Sequence, residues 1–274
     1  MPETAPPGPV VRHVYGAHPS QVTDLHLPPA DSVGGAAPVC VVIHGGFWRA
    51  RYGMELGTPL AADLAGHGVA ALNIEYRRVG DGGGWPRTCE DVASAVDALA
   101  ELDATVGGRL DLSRVVALGH SAGGHLAGWL AGRPALPVGA PGSDPRVRLT
   151  GAVLQAGVLD LEAAVADDLG AGAVRAFLDP EGTGERASYD LASPIRLLPT
   201  GIRTVLVHGD RDQDVPISQS RAYAAAARAA GDDCHLIELP GADHYGVITV
   251  DSPDWAVCRF AVLDLLDARH APLA

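Results

Sequence analysis

A chain of 274 residues with 47% hydrophobic and 19% charged side chains suits one large α/β domain or two small ones. Its net charge of −13, from 20 basic and 33 acidic side chains, argues against nucleic acid or an anionic membrane as a partner. Every basic residue is Arg, and without Lys there can be no lysine Schiff base, no Walker A phosphate loop and no Ser-Lys dyad.

Cys40, Cys89, Cys234 and Cys258 lie far apart and form no C-x-x-C. Buried free thiols in a reducing compartment are expected, not a disulfide framework or a zinc site. Met1 to Val10 is Pro-rich without an apolar core and does not read as a signal peptide; no stretch has the length and apolarity of a membrane span. The expected location is the cytoplasm.

Residues 1–9 read as a disordered tail. Val10–Tyr15 and Val22–Leu27 read as short strands, followed by a Pro/Gly-rich link from Pro28 to Pro38. Val39–Ile43 is a continuous apolar run, the pattern of a strand buried on both faces. Thr58–Gly66 reads as a helix with Pro59 in its first turn. Val69–Ile74 is a second buried strand, and Glu90–Leu102 a helix with Val92, Val96 and Leu99 on one side. A strand at Val115–Leu118 leads into Ser121 and a helix to about Ala131; Arg133–Arg148 is a loop and Leu149–Gln155 a strand. Residues 158–200 hold short helical pieces and no clear strand. Thr204–Val207 is a strand, Ser218–Ala230 an Ala-rich helix, His235–Leu239 a strand and Pro253–Ala268 the closing helix. Strands alternating with helices predict a mostly parallel sheet covered on both faces, with the functional site at the carboxyl ends of the strands.

Four such ends are chemically loaded. Val115–Leu118 runs into Gly119-His120-Ser121-Ala122-Gly123, a Gly-x-Ser-x-Gly in the strand–turn–helix setting that lifts a serine hydroxyl off the sheet. Val39–Ile43 runs into His44-Gly45-Gly46-Phe47, where Gly46 and Phe47, with Ala122 after the serine, offer N–H groups to an oxyanion. The Thr204 strand runs into Asp210, Asp212 and Asp214, any of which could orient an imidazole. The last strand runs into Asp243-His244-Tyr245, which makes His244 the general-base candidate among eleven histidines. His125, one turn past Ser121, reads as packed or hydrogen-bonded in place. There is no H-E-x-x-H, so no metal site is expected.

These four elements, in this order, resemble the α/β-hydrolase superfamily. The fold so implied has a mostly parallel central sheet, helices on both faces and a small cap from residues 158–200 within a single domain, 10–274. The His208-Gly209-x-x-Asp212-x-x-Val215-Pro216 pattern selects Asp212 as the acid, giving the triad Ser121, Asp212 and His244. His44-Gly45-Gly46-Phe47-Trp48, Glu75-Tyr76-Arg77 and Trp85-Pro86 resemble the kynurenine formamidases, feruloyl-esterase-like hydrolases and hormone-sensitive-lipase-like esterases. The resemblance implies acyl transfer from a small ester through Ser121, with cleavage of an N-formyl amide of the formylkynurenine type as the alternative, and a peptidase or a non-catalytic binding protein as lesser ones. No cofactor is implied. Trp48, Tyr52, Trp85 and Tyr245 are the substrate-binding candidates. The sequence leaves the oligomeric state open, a homodimer included.

Overall fold

The computed structural model describes residues 8–29, 34–183 and 189–267. Most of the expected tail, residues 184–188 of the candidate cap and the end of the closing helix lie outside the described residues. The strands are β1 (Val10–Val14), β2 (Val22–His26), β3 (Ala37–Ile43), β4 (Ala70–Ile74), β5 (Leu110–His120), β6 (Gly151–Gln155), β7 (Arg203–Gly209) and β8 (Cys234–Leu239). The helices are α1 (Thr58–Gly66), α2 (Arg87–Asp97), α3 (Leu99–Thr105), α4 (Ala122–Gly132), α5 (Leu161–Ala166), α6 (Ala173–Leu178), α7 (Tyr189–Ala192), α8 (Ser218–Ala229) and α9 (Pro253–Asp267).

One sheet runs β1-β2-β4-β3-β5-β6-β7-β8. β1 and β2 pair antiparallel, β2 is antiparallel to β4, and every later pairing is parallel. The apolar runs explain the two-sided burial, because successive side chains on a strand point to opposite faces. In β3, Val39, Val41 and Ile43 join one core with α2, α3, α4 and the 158–200 segment. Cys40 and Val42 join the other, beneath α1 and α9, with Leu60, Leu64, Trp255 and Val262. All four cysteines are buried and free. No helix among the described residues is long and apolar enough to cross a membrane.

Two boundaries differ from the sequence reading. The helix expected over Glu90–Leu102 is two helices, interrupted at Ala98. Val92, Val96, Leu99 and Leu102 are all buried across the break, so the apolar stripe continues where the backbone ladder does not. β5 begins at Leu110 instead of Val115, because Leu110 and Asp111 pair with Ala37 and Pro38 before a register shift at Pro38/Val39. Asp111 closes that irregularity by accepting from Ser113 N and Arg114 Nε. Its polar residues hide it from a search for apolar runs.

A buried ion pair fixes the first helix after the β4 edge. Asp91 in α2 is 1% exposed and accepts from Arg77 N, Nε and Nη2 at 2.9, 2.8 and 2.7 Å, and from Gln21 Nε2 at 2.7 Å. Removing one partner of a buried pair strands the other, whereas a surface pair contributes little. Asp91→Ala leaves the Arg77 N–H and the Gln21 amide without their acceptor, while the partly exposed Arg77 guanidinium can rehydrate, and is expected to lower the unfolding free energy in urea by about 1–3 kcal/mol. Asp24→Ala, at the surface pair with Arg12, is expected to cost under ~1 kcal/mol. Equal losses would remove the distinction.

Candidate active site

Ser121 follows β5 directly and caps the N-terminus of α4 with φ 58° and ψ −117°. A non-glycine residue holds a positive φ only where its surroundings leave no alternative. Here Ser121 N donates to Gln155 O of β6 at 2.8 Å, and His125 N donates to Ser121 O at 3.1 Å. The helix also presses against the end of β3: a Cβ on Gly123 would collide with the carbonyl oxygens of Ile43 and His44. Ser121 itself is 2% exposed.

The His44 loop lies against the serine, since a Cβ on Gly45 would come within 3.0 Å of Ser121 Cβ. Gly46, Phe47 and Trp48 take successive positive φ values of 106°, 50° and 53°. Among the described residues, the N–H groups of Gly46, Phe47 and Ala122 bond to no protein acceptor, so they remain available as donors. The loop is held from below and above. Below, His44 Nε2 lies 3.0 Å from Glu75 Oε1, Tyr76 OH donates to His44 O at 2.8 Å, and the two rings stack at 4.4 Å. Burial pushes the Glu75 carboxyl up, but the hydrogen bond and charge of His44, the Tyr76 N–H and Arg78 outweigh it and hold the group below its ordinary value. Above, Arg49 Nη2 donates to Gly170 O at 2.6 Å, the Trp48 ring stacks on Phe177 at 4.5 Å, and Trp85 N donates to Phe177 O at 2.7 Å.

The other two candidates meet at the ends of β7 and β8. Asp212 Oδ2 is 2.6 Å from His244 Nδ1, and Oδ1 accepts from Asp214 N at 2.9 Å and Val215 N at 2.8 Å. Burial again opposes the charged carboxylate. The hydrogen bonds from His208, His244 and Val215 N, with the charge of His244, outweigh it and hold Asp212 well below the usual range. Asp210 is instead exposed and accepts from Gly241 N, and Asp214 contributes its backbone N–H to Asp212, so the geometry favours Asp212 among the three.

His120 ties the halves together. Its Nε2 donates to His244 O at 2.8 Å and its ring tilts against His244 at 4.4 Å, which sets His244 beside the residue before the serine. Burial, reinforced by the charge of His244, lowers His120 to about 3. Burial lowers His125 to about 4; its Nε2 donates to Ala192 O, as the packed reading expected. Among the described residues Ser121 Oγ makes no hydrogen bond.

The pocket candidates separate. Trp48 is a correction: it is 0% exposed, its ring stacked on Phe177 and edge-on to His125 in the core. Trp85 and Tyr52 are half-buried, Tyr52 under the Arg51 guanidinium. Tyr245 is 54% exposed with its ring 5.3 Å from that of His244. Sequence reasoning missed Glu75 and Arg49 as supports of the glycine loop. Glu75 follows a buried strand on the carboxyl edge, which was the available signal.

An eight-stranded sheet with antiparallel β1 and β2, a strained serine after β5, and acid and imidazole after β7 and β8 define the α/β-hydrolase fold. The chain belongs to the BD-FAE family, which it matches over residues 23–226. It is 32% identical over 249 residues to esterase LipC of Mycobacterium tuberculosis, covering 85% of this chain and 59% of that protein. Esterase LipQ of the same organism is 31% identical over 233 residues, 81% of this chain and 53% of that protein. The chain thus spans a little over half the length of these relatives. Esterase B from Lactobacillus rhamnosis superposes with a TM-score of 0.81 at 23% identity, covering 97% of this chain and 88% of that one.

Buried His120 and His125 give stability a pH dependence. Both are lowered from 6.5, so below about pH 6.5 the unfolded chain binds protons that the folded chain refuses. Stability therefore falls as pH drops from about 6.5 toward 4, by up to roughly 1.4 kcal/mol per pH unit for each histidine. Urea unfolding of His120→Gln across that window is expected to show a slope shallower by about that amount for one histidine. An unchanged slope would show that His120 titrates normally in the folded protein.

Proposed function

We propose that this protein is a serine hydrolase that cleaves small carboxylic esters through an acyl-enzyme on Ser121. The observation that carries the reading is the buried 2.6 Å contact of Asp212 with His244 Nδ1, set beside a serine held at positive φ. Asp212 keeps the proton on Nδ1, which leaves Nε2 free to take the Ser121 proton as Oγ attacks the ester carbonyl. The N–H groups of Gly46, Phe47 and Ala122 receive the oxyanion, and one such donor is typically worth ~3 kcal/mol in the transition state. The C–O bond then breaks as His244 returns the proton to the leaving alkoxide. Water, deprotonated by His244, attacks the acyl carbon, and the acid departs with Ser121 restored. No step calls on a cofactor.

Ester chemistry is supported by LipC and LipQ, both named esterases, and they offer no comparable support for the formamide alternative. Segment 158–200 serves as the cap. Its contacts with Arg49, Trp48 and Trp85 bring it down onto the glycine loop, which favours short acyl groups. Tyr52, Trp85 and Tyr245 border the entrance. The buried free cysteines support a cytoplasmic location.

Turnover of p-nitrophenyl acetate, with N-formylkynurenine as comparator, tests the reading. Ser121→Ala should abolish it. Asp212→Asn should lower kcat on the order of 10³–10⁴-fold, as expected when an imidazole loses the partner that fixes its tautomer. Asp210→Asn should stay near wild type. A larger loss at Asp210 than at Asp212 would reassign the acid, and preference for the formamide would overturn the substrate class.

A further inference from the structure

The carboxylate that orients His244 has a second imidazole against the same oxygen. His208, in the strand before the acid loop, is 0% exposed, and its Nε2 lies 3.2 Å from Asp212 Oδ2 and 2.9 Å from Val215 O. A carbonyl oxygen only accepts, so Nε2 carries a proton, and that N–H also sits against the carboxylate. On the other side, His208 Nδ1 lies 2.8 Å from Ser220 Oγ of α8, whose hydroxyl fixes the ring's orientation. Asp212 Oδ2 thus stands between His244 at 2.6 Å and His208 at 3.2 Å, while Oδ1 is taken by two backbone N–H groups.

We propose that His208 is a positioning residue of the active site, which holds Asp212 Oδ2 toward His244 and takes up part of the carboxylate's negative charge. The proposal deepens the serine-hydrolase reading and rests on it for its catalytic meaning. A carboxylate bonded by one donor concentrates its charge on that donor, and one shared between two holds each less tightly. His208 therefore restrains the proton affinity of His244. A general base is most effective when its proton affinity lies near the working pH, so that it can both take and return the proton. The other titratable groups facing the cluster are His120 from the elbow, Glu238 from β8, and Asp214 and Tyr245 from the two loops. They are identical in every variant compared below.

Three forms of the full chain separate positioning from mere packing. His208→Gln keeps an N–H donor near the place of Nε2. His208→Leu keeps bulk and removes the donor. His208→Asn, whose shorter amide does not reach Oδ2, makes the same comparison should the Leu variant fail to fold. The readout is the titration midpoint of the His244 ring by NMR of ¹⁵N-histidine-labelled protein, assigned by its absence in His244→Gln. The Leu or Asn variant is expected to raise the midpoint by about half a unit or more, because His244 is then the one imidazole left against Asp212 Oδ2, and Gln to leave it at the wild-type value. A wild-type midpoint in the donor-less variants, or an equal displacement in the Gln variant, overturns the proposal. Wild-type ester turnover is measured in parallel. The midpoint difference without turnover would fault the esterase reading while still supporting His208's hold on Asp212.

Discussion

At the join of β5 and α4 the backbone takes a turn at Ser121 that a side-chain-bearing residue resists, at a cost of about 1–3 kcal/mol. Neighbouring elements must over-determine such a conformation, and here they do. Gln155 O of β6 takes the serine's N–H, while the Gln155 side chain reaches Val247 beyond the histidine loop. The first turn of α4 abuts the end of β3 so closely that Gly123 has no room for a Cβ. The same compression sets the glycine loop beside the serine. The strain is thus shared among three parallel strands, whose burial on both faces supplies the rigidity.

Electrostatics at the site follow from burial. Asp212 is stable as an anion in the interior because four donors surround it: two backbone N–H groups and two imidazoles. His120, buried a few ångströms away, is kept uncharged, so no fixed positive charge stands against the imidazolium that the proposed reaction forms on His244. The glycine loop is built on the same logic. Its strained Phe47 and Trp48 are clamped between the His44–Glu75 contact on one side and Arg49, Phe177 and the cap on the other. A preorganised donor set needs such clamping, because the donors must already point at the developing charge.

Much of this was legible in the sequence, for particular reasons. Continuous apolar runs such as Val39–Ile43 mark strands buried on both faces, and their alternation with helices predicts where strand ends, and hence the site, must lie. Gly119 to Gly123 and His44 to Phe47 were readable because a strained turn and a close backbone approach narrow the residue types a chain can place there. Asp212 was separable from Asp210 and Asp214 only through the family pattern. Its distinguishing property is burial among donors, which spacing alone does not encode. The roles of His208, Glu75 and Arg49 escaped for the same reason, since each is defined by a partner remote in the chain or by the choice of one carboxylate oxygen. Trp48 was misplaced because its ring packs on Phe177 and His125, partners remote in the chain. The break at Ala98 and the irregular start of β5 fell where the hydrophobic pattern carries no boundary.

The central claim is that Ser121 is a nucleophile activated by its setting, and covalent capture tests it most directly. Incubation of the folded full chain with a fluorophosphonate, followed by intact-mass measurement and peptide mapping, should give one adduct per chain, located on Ser121, and none in Ser121→Ala. An unmodified wild-type chain, or an adduct that persists in Ser121→Ala, would contradict the account.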